Sequence, residues 1–224
     1  MCFISLLKFH LVLFFCLFVQ GIGSYSVYLG DANEGSASLV SLNVKLPRKF
    51  VAYERFSYDA LGQQIHVRAL IVDHNQTSFV DLLLLYKEGV SYEISYQNQT
   101  CKKAPLKTPF RPIEIPPDAK LQGEVVLGSS SAPGMGVLVN SWTGAVPELK
   151  GERAKYLLTF TEFGCLPISS LNHVENVGLI LTSFYDLVIG IEDPNEFIPP
   201  PFCEKAELQQ TESEKVKDFL RFFI

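Results

Sequence analysis

Basic clusters are missing from this sequence. Its 19 lysines and arginines are scattered among 24 aspartates and glutamates, for a net charge of −5. It therefore lacks the electrostatic footprint of a nucleic-acid binder and the polybasic patch that docks on anionic membranes. Histidine is scarce, at four residues. His66 falls on the polar face of a strand pattern and His74 in a turn, and neither sits in a motif with Ser or Cys that would build a nucleophile–base pair. The Gly/Ser-rich stretch Gly128–Gly134 is neither G-x-S-x-G nor a phosphate loop, which would need a following Lys-Ser/Thr, so it reads as a flexible turn. Cys165 in "FGCLP" has no adjacent base or cation to generate a thiolate. The chain reads as a non-enzyme.

Long apolar runs are also missing beyond residue 23, where nothing approaches the roughly 20 residues of a membrane-spanning helix. Residues 1–23 carry a lone Lys8, an apolar run Leu11–Val19, and then Gly21 and Gly23. That is the pattern of a cleaved secretory signal peptide, with an uncleaved anchor as the alternative. Cleavage removes Lys8 and no acidic residue, so 18 basic residues against 24 acidic give −6. It also removes Cys2 and Cys16, leaving Cys101, Cys165 and Cys203. In an oxidising compartment one bridge then leaves one thiol over, free or paired between chains. Two "NQT" sequons, at Asn75 and Asn98, fit glycosylation in that compartment.

What is present is period-two alternation. Residues 24–48 form a variable, extended lead-in. From about Lys49 onward Ile65, Val67, Ala69 and Ile71 alternate with Gln64, His66 and Arg68, and Val90, Tyr92, Ile94 and Tyr96 alternate with Ser91, Glu93 and Ser95. Between them Leu82–Tyr86 is apolar on both faces. "CKKAPLKTPFRPIEIPPDAK" holds five prolines and reads as an ordered crossover or edge segment. Strands resume at "LQGEVVLG", "MGVLVNSW", "KYLLTFTEFG" and "VGLILTSFYDLVIGIED". Helical spacing is confined to the tail, residues 209–224, where Val216, Phe219, Leu220 and Phe223 share a face behind a Thr211/Glu214 capping box. Antiparallel sheets stacked or curled around a core follow from this order. The 17 phenylalanines furnish either a lined cavity or a filled core, and the sequence leaves both open.

Oxygen donors gather in "EDPNE": Glu192, Asp193, Asn195 and Glu196. The EF-hand pattern is absent, because Pro194 follows Asp193 and no glycine follows the donors. An Asp-Pro turn explains the same residues, with a calcium site at Glu192, Asp193 and Asn195 as the alternative.

Over residues 56–208, "FSYDALGQQI", "LLLYKEGVSYEI", "NQTCKK", "IEIPPDA", "LGSSS", "FGCLPIS" and "GIEDPNEFIPPPFCE" occur in an order and spacing that resemble the ependymin family. The resemblance implies an all-β domain over 49–208, with two stacked, curved antiparallel sheets forming a half-open, barrel-like sandwich around an apolar pocket. A short C-terminal helix follows the domain. It further implies a secreted, N-glycosylated, often dimeric glycoprotein in an extracellular or lysosomal location, linked to calcium binding and cell–matrix adhesion. Carried over by position, Cys101 bridges Cys203, and Asn75 and Asn98 carry glycans. Cys165 matches a cysteine whose partner lies near the mature N-terminus. Residues 24–100 hold no cysteine, so Cys165 is expected to be free or intermolecular. The functional expectation is a hydrophobic ligand, a lipid or fatty acyl chain, held between the sheets with no cofactor required. The alternative is a calcium-binding adhesion glycoprotein of the extracellular matrix without a dedicated pocket.

Overall fold

The computed structural model describes residues 26–29, 37–42, 49–73, 76–149, 152–174, 178–191 and 193–223. Two short strands, β1 (Ser26–Leu29) and β2 (Ala37–Leu42), precede β3 (Lys49–Asp59), β4 (Gln64–Asp73), β5 (Gln76–Leu85), β6 (Val90–Ser95) and β7 (Thr100–Pro105). After a proline-rich crossover come β8 (Lys120–Gly128), β9 (Gly136–Leu149), β10 (Glu152–Thr161), β11 (Pro167–Val174), β12 (Gly178–Ser183) and β13 (Leu187–Ile189). The chain ends in α1 (Glu214–Phe223). It divides into two compact units, one built on Ile113–Phe184 and the other on Lys49–Pro112 with Tyr185–Ile224. Each rests on a five-stranded antiparallel sheet.

In the second of these units the strand order is β7-β6-β5-β4-β3, and β1 pairs with both β3 and β13. Because successive side chains alternate across a strand, the register sorts residues onto two faces. One face carries the rows Tyr58–Ile65–Leu84, Phe56–Val67–Leu82 and Glu54–Ala69–Val80. The other carries Ser57–His66–Leu83–Tyr92 and Arg55–Arg68–Asp81. This second face is covered by the chain's own arm, residues 191–204. There Phe197 and Cys203 are buried against Leu83, Leu85, Tyr92 and Ile94, with Ile191 and Phe202 packed at the margin. Asp193 starts the arm's first 3₁₀ turn, Pro194–Phe197, by accepting from the Asn195 backbone N–H at 2.9 Å. A second turn, Pro201–Cys203, brings Cys203 to Cys101. The bridge closes a loop of 102 positions.

In the unit built on Ile113–Phe184 the order is β12-β11-β10-β9-β8. Trp142, Tyr156, Phe160 and Ile180 are buried. Tyr156 lies directly opposite Gly144, where a Cβ would stand 2.1 Å from the tyrosine hydroxyl, so only glycine admits the ring. The stretch 177–193, which reads as one strand, is broken instead at Phe184–Asp186, where Asp186 takes φ 50°.

The tail lies along β7. Leu208 bridges Lys103, the Gln209 N–H donates to the Lys103 carbonyl at 2.8 Å, and Glu212 accepts from the Lys107 N–H at 3.0 Å. Val216, Phe219 and Leu220 of α1 are buried, as the helical spacing predicts. The cap differs from the sequence reading. Ser213 precedes the helix, accepting from the Val216 N–H at 3.4 Å and donating to Glu93. Helix geometry places the capping hydroxyl immediately before Glu214, so Thr211 lies too far upstream to serve.

Closing a loop near 100 residues contributes on the order of 4–5 kcal/mol in the chain-entropy account. Cys203→Ser is therefore expected to lower the melting temperature by roughly 10 °C or more in a scanning calorimeter. An unchanged melting point would show that the bridge contributes nothing.

Candidate functional site

His66 is the centre of a four-residue charge cluster on the arm-covered face. Its side chain is 5 % exposed. Nε2 stands 2.8 Å from Asp81 Oδ1, and Nδ1 stands 3.0 Å from Glu196 Oε2. The first contact is a hydrogen bond; the second is an ion-pair approach lying off a good hydrogen-bond line. Arg68 donates from Nη2 to the same Glu196 oxygen at 2.8 Å and places Nε 3.6 Å from Asp81 Oδ2. The register explains the assembly: Arg68 pairs with Asp81 across β4 and β5, His66 lies one residue pair further on the same face, and the arm supplies Glu196.

A neutral imidazole has only one N–H, so between two carboxylates one ring nitrogen would meet an anion with a lone pair. Burial pulls the His66 pKa down, but the hydrogen bond to Asp81, the close approach of Glu196 and the Asp81 charge outweigh it, and the pKa rises above its ordinary 6.5. Glu196 is pushed down to about 2, first by its contact with His66, against burial, and then by Arg68. Two cations and two anions cancel. The neighbour opposite His66 is the buried Ser57, yet both ring nitrogens are committed to carboxylates and none remains to activate a hydroxyl. The cluster fastens the arm; it does not perform chemistry.

The opposite face of β3–β5 is largely apolar. Ala52, Phe56, Tyr58, Ile65, Val67, Ala69, Leu82 and Leu84 are all buried. Glu54 lies among them, 5 % exposed, and its Oε2 has no hydrogen-bond partner among the described residues. Burial alone raises its pKa to about 7.

The residues singled out from the sequence are distributed differently. Cys101 and Cys203 are bonded to each other. Asn98 stands in the exposed turn between β6 and β7, while Asn75 and Glu192 lie outside the described residues. Asp193 accepts from both the backbone and side-chain nitrogens of Asn195, at 2.9 and 2.8 Å, so the two satisfy one another. Glu196, grouped with them in the sequence, turns to His66 and Arg68 instead. Among the described residues no three His, Cys, Asp or Glu side chains converge as a metal site, and no helix is long and apolar enough to cross a membrane. The sequence reading missed the burial of His66, Asp81 and Glu54.

The family model described as Ependymin matches residues 74–203. Ependymin-2 of Carassius auratus is 34 % identical over 160 residues, which is 71 % of this chain and 73 % of that protein. Ependymin-1 of Oncorhynchus mykiss is 34 % identical over 169 residues, 75 % of each chain. Ependymin of Notemigonus crysoleucas is 35 % identical over 161 residues, 71 % of this chain and 72 % of that protein. The chain belongs to the ependymin family. In fold it is also similar to an uncharacterized conserved protein from Thermus thermophilus, with a TM-score of 0.50 at 10 % identity, covering 88 % of this chain and 96 % of that one. Ependymins are non-enzymatic glycoproteins, in keeping with the missing catalytic motifs. One expectation for this ependymin is corrected: Cys165 is not a free or interchain thiol but is disulfide-bonded within the chain.

The charge cluster makes stability depend on pH in both directions. Glu196 contributes stability that is present above its ordinary 4.5 and is lost as pH falls toward about 2. His66 contributes stability that is complete below 6.5 and is lost as pH rises through its raised folded value. Glu196→Gln is expected to cost on the order of 1–2 kcal/mol in the window between, allowing for solvent screening of a partly exposed carboxylate. The melting-temperature gap between wild type and this variant should narrow on either side of the window. An equal gap at pH about 5.5 and about 9 would dismiss the cluster as the arm's fastening.

Proposed function

We propose that this ependymin is a secreted binding protein that holds an apolar ligand, a lipid or fatty acyl chain, against the apolar face of β3–β5. The observation that carries the reading is the composition of that face, whose rows Tyr58–Ile65–Leu84 and Phe56–Val67–Leu82 are aliphatic and aromatic, the pattern of a site for a largely apolar molecule. Binding proceeds by removing apolar area from water, worth about 25 cal/mol per Å² before the costs of association. No bond is made or broken.

Displacement of a fluorescent fatty-acid probe by unlabelled long-chain lipids tests the reading, with native mass spectrometry of gently purified protein beside it. Saturable one-to-one uptake is expected. Folded protein that takes up no probe and carries no lipid-sized adduct would end it. The exposed turn bearing Asn98 supports glycosylation there, and Asn98→Gln is expected to lower the mass of the secreted protein by one glycan.

A further inference from the structure

Tyr96 follows directly on β6, and its side chain is 56 % exposed. Its ring meets Phe202 of the arm, with centroids 5.6 Å apart and planes at 88°. In such an edge-to-face pair one ring supplies the edge, so Phe202 covers at most one face of Tyr96. A lone exposed aromatic is ordinary; the sequence beside this one is not. Two positions on begins the sequon Asn98-Gln99-Thr100, and residues 96–99 form the turn between β6 and β7. Ser95 pairs with Thr100 across the turn. Gln99 closes it at φ 48°, a left-handed conformation that few residues with a side chain adopt. Tyr96, Asn98 and Thr100 are all exposed. The Cα atoms of Tyr96 and Asn98, two trans peptides apart, are separated by no more than about 7.6 Å. An asparagine side chain carrying one pyranose spans that distance.

We propose that Tyr96 is the docking platform for the glycan on Asn98: its free ring face packs against the C–H face of the first N-acetylglucosamine, and the sugar braces the arm through Phe202. The proposal rests on the glycosylation of Asn98 stated above and gives that glycan a structural task. A β-linked pyranose presents axial C–H bonds on one face and its hydroxyls around the rim. Those polarised bonds complement the negative face of an aromatic ring, and stacking removes apolar area of both from water. Docking costs the tyrosine little freedom, because Phe202 already holds its ring. Phe202 precedes Cys203, which is bonded to Cys101. The sugar, both rings and the bridge thus form one run of contacts at the end of the arm.

The test uses the full secreted chain carrying Asn75→Gln, so that Asn98 is the remaining sequon, with its glycan trimmed to a single N-acetylglucosamine by an endoglycosidase. Proton NMR of that sugar is expected to show C–H resonances moved upfield by the tyrosine ring current. Tyr96→Phe should keep the shift, and Tyr96→Leu should return the resonances to those of free N-acetylglucosaminyl asparagine. Stability is read in the same proteins. Adding Asn98→Gln is expected to lower the melting temperature by about 3 °C beside Tyr96 and by less than about 1 °C in Tyr96→Leu. Tyr96→Leu also loosens Phe202, so the deciding quantity is how the glycan's effect depends on the ring, not the melting point of that variant alone. Unshifted sugar resonances, or an equal glycan effect with and without the ring, would overturn the proposal while Asn98 stays glycosylated. A secreted protein whose mass is unchanged by Asn98→Gln would instead remove the glycosylation reading, and the proposal with it.

Discussion

The ion pair between Glu196 and the His66–Arg68 edge of β4 is the constraint on which this half of the molecule depends. A sheet that is apolar on both faces must have both covered. Here the arm covers one face without a helix or a further sheet, using two 3₁₀ turns and a few large side chains. So thin a layer holds little apolar area per residue, and its position must be fixed by directional contacts. Glu196 fixes one end through charge and Cys203 fixes the other through a covalent bond. Between these points Phe197 fills the space over Leu83 and Leu85.

Two glutamates in the same unit show how far surroundings, rather than residue type, decide ionisation. Glu196 meets an imidazolium and a guanidinium and is held anionic to about pH 2. Glu54 meets hydrocarbon and gives up its charge near pH 7. They belong to opposite faces of one sheet. Such a division makes one side a charged fastening and leaves the other close to neutral.

Local pattern made much of the fold legible. Alternation in β4 and β6 identified their faces, and the both-sides-apolar run in β5 agrees with its place between two covered faces. The helix in the tail was readable from spacing, although its cap was placed two residues early because Thr211 and Glu214 imitate a box motif. β11 escaped notice: "PISSLNHV" has too few apolar residues to announce a strand, and its pairing with β10 and β12 supplies the backbone bonds instead. The charge cluster could not be read at all. His66 alternates as a polar residue should, and only a carboxylate roughly 130 positions away brings it inside. Glu54 is similar, since a glutamate flanked by Tyr53 and Arg55 looks like an exposed position until the register puts Ala69 and Val80 beside it.

The Cys101–Cys203 bridge joins the two stretches of chain that flank Ile113–Phe184, so that whole segment is an excursion beginning and ending at one covalent knot. A protease that cuts anywhere within the excursion, for example in the exposed Ser130–Met135 turn, leaves fragments that still migrate as one molecule until reductant is added. Nicked and intact protein would then be indistinguishable in size under oxidising conditions, and a preparation that looks uniform outside the cell could be a mixture of the two.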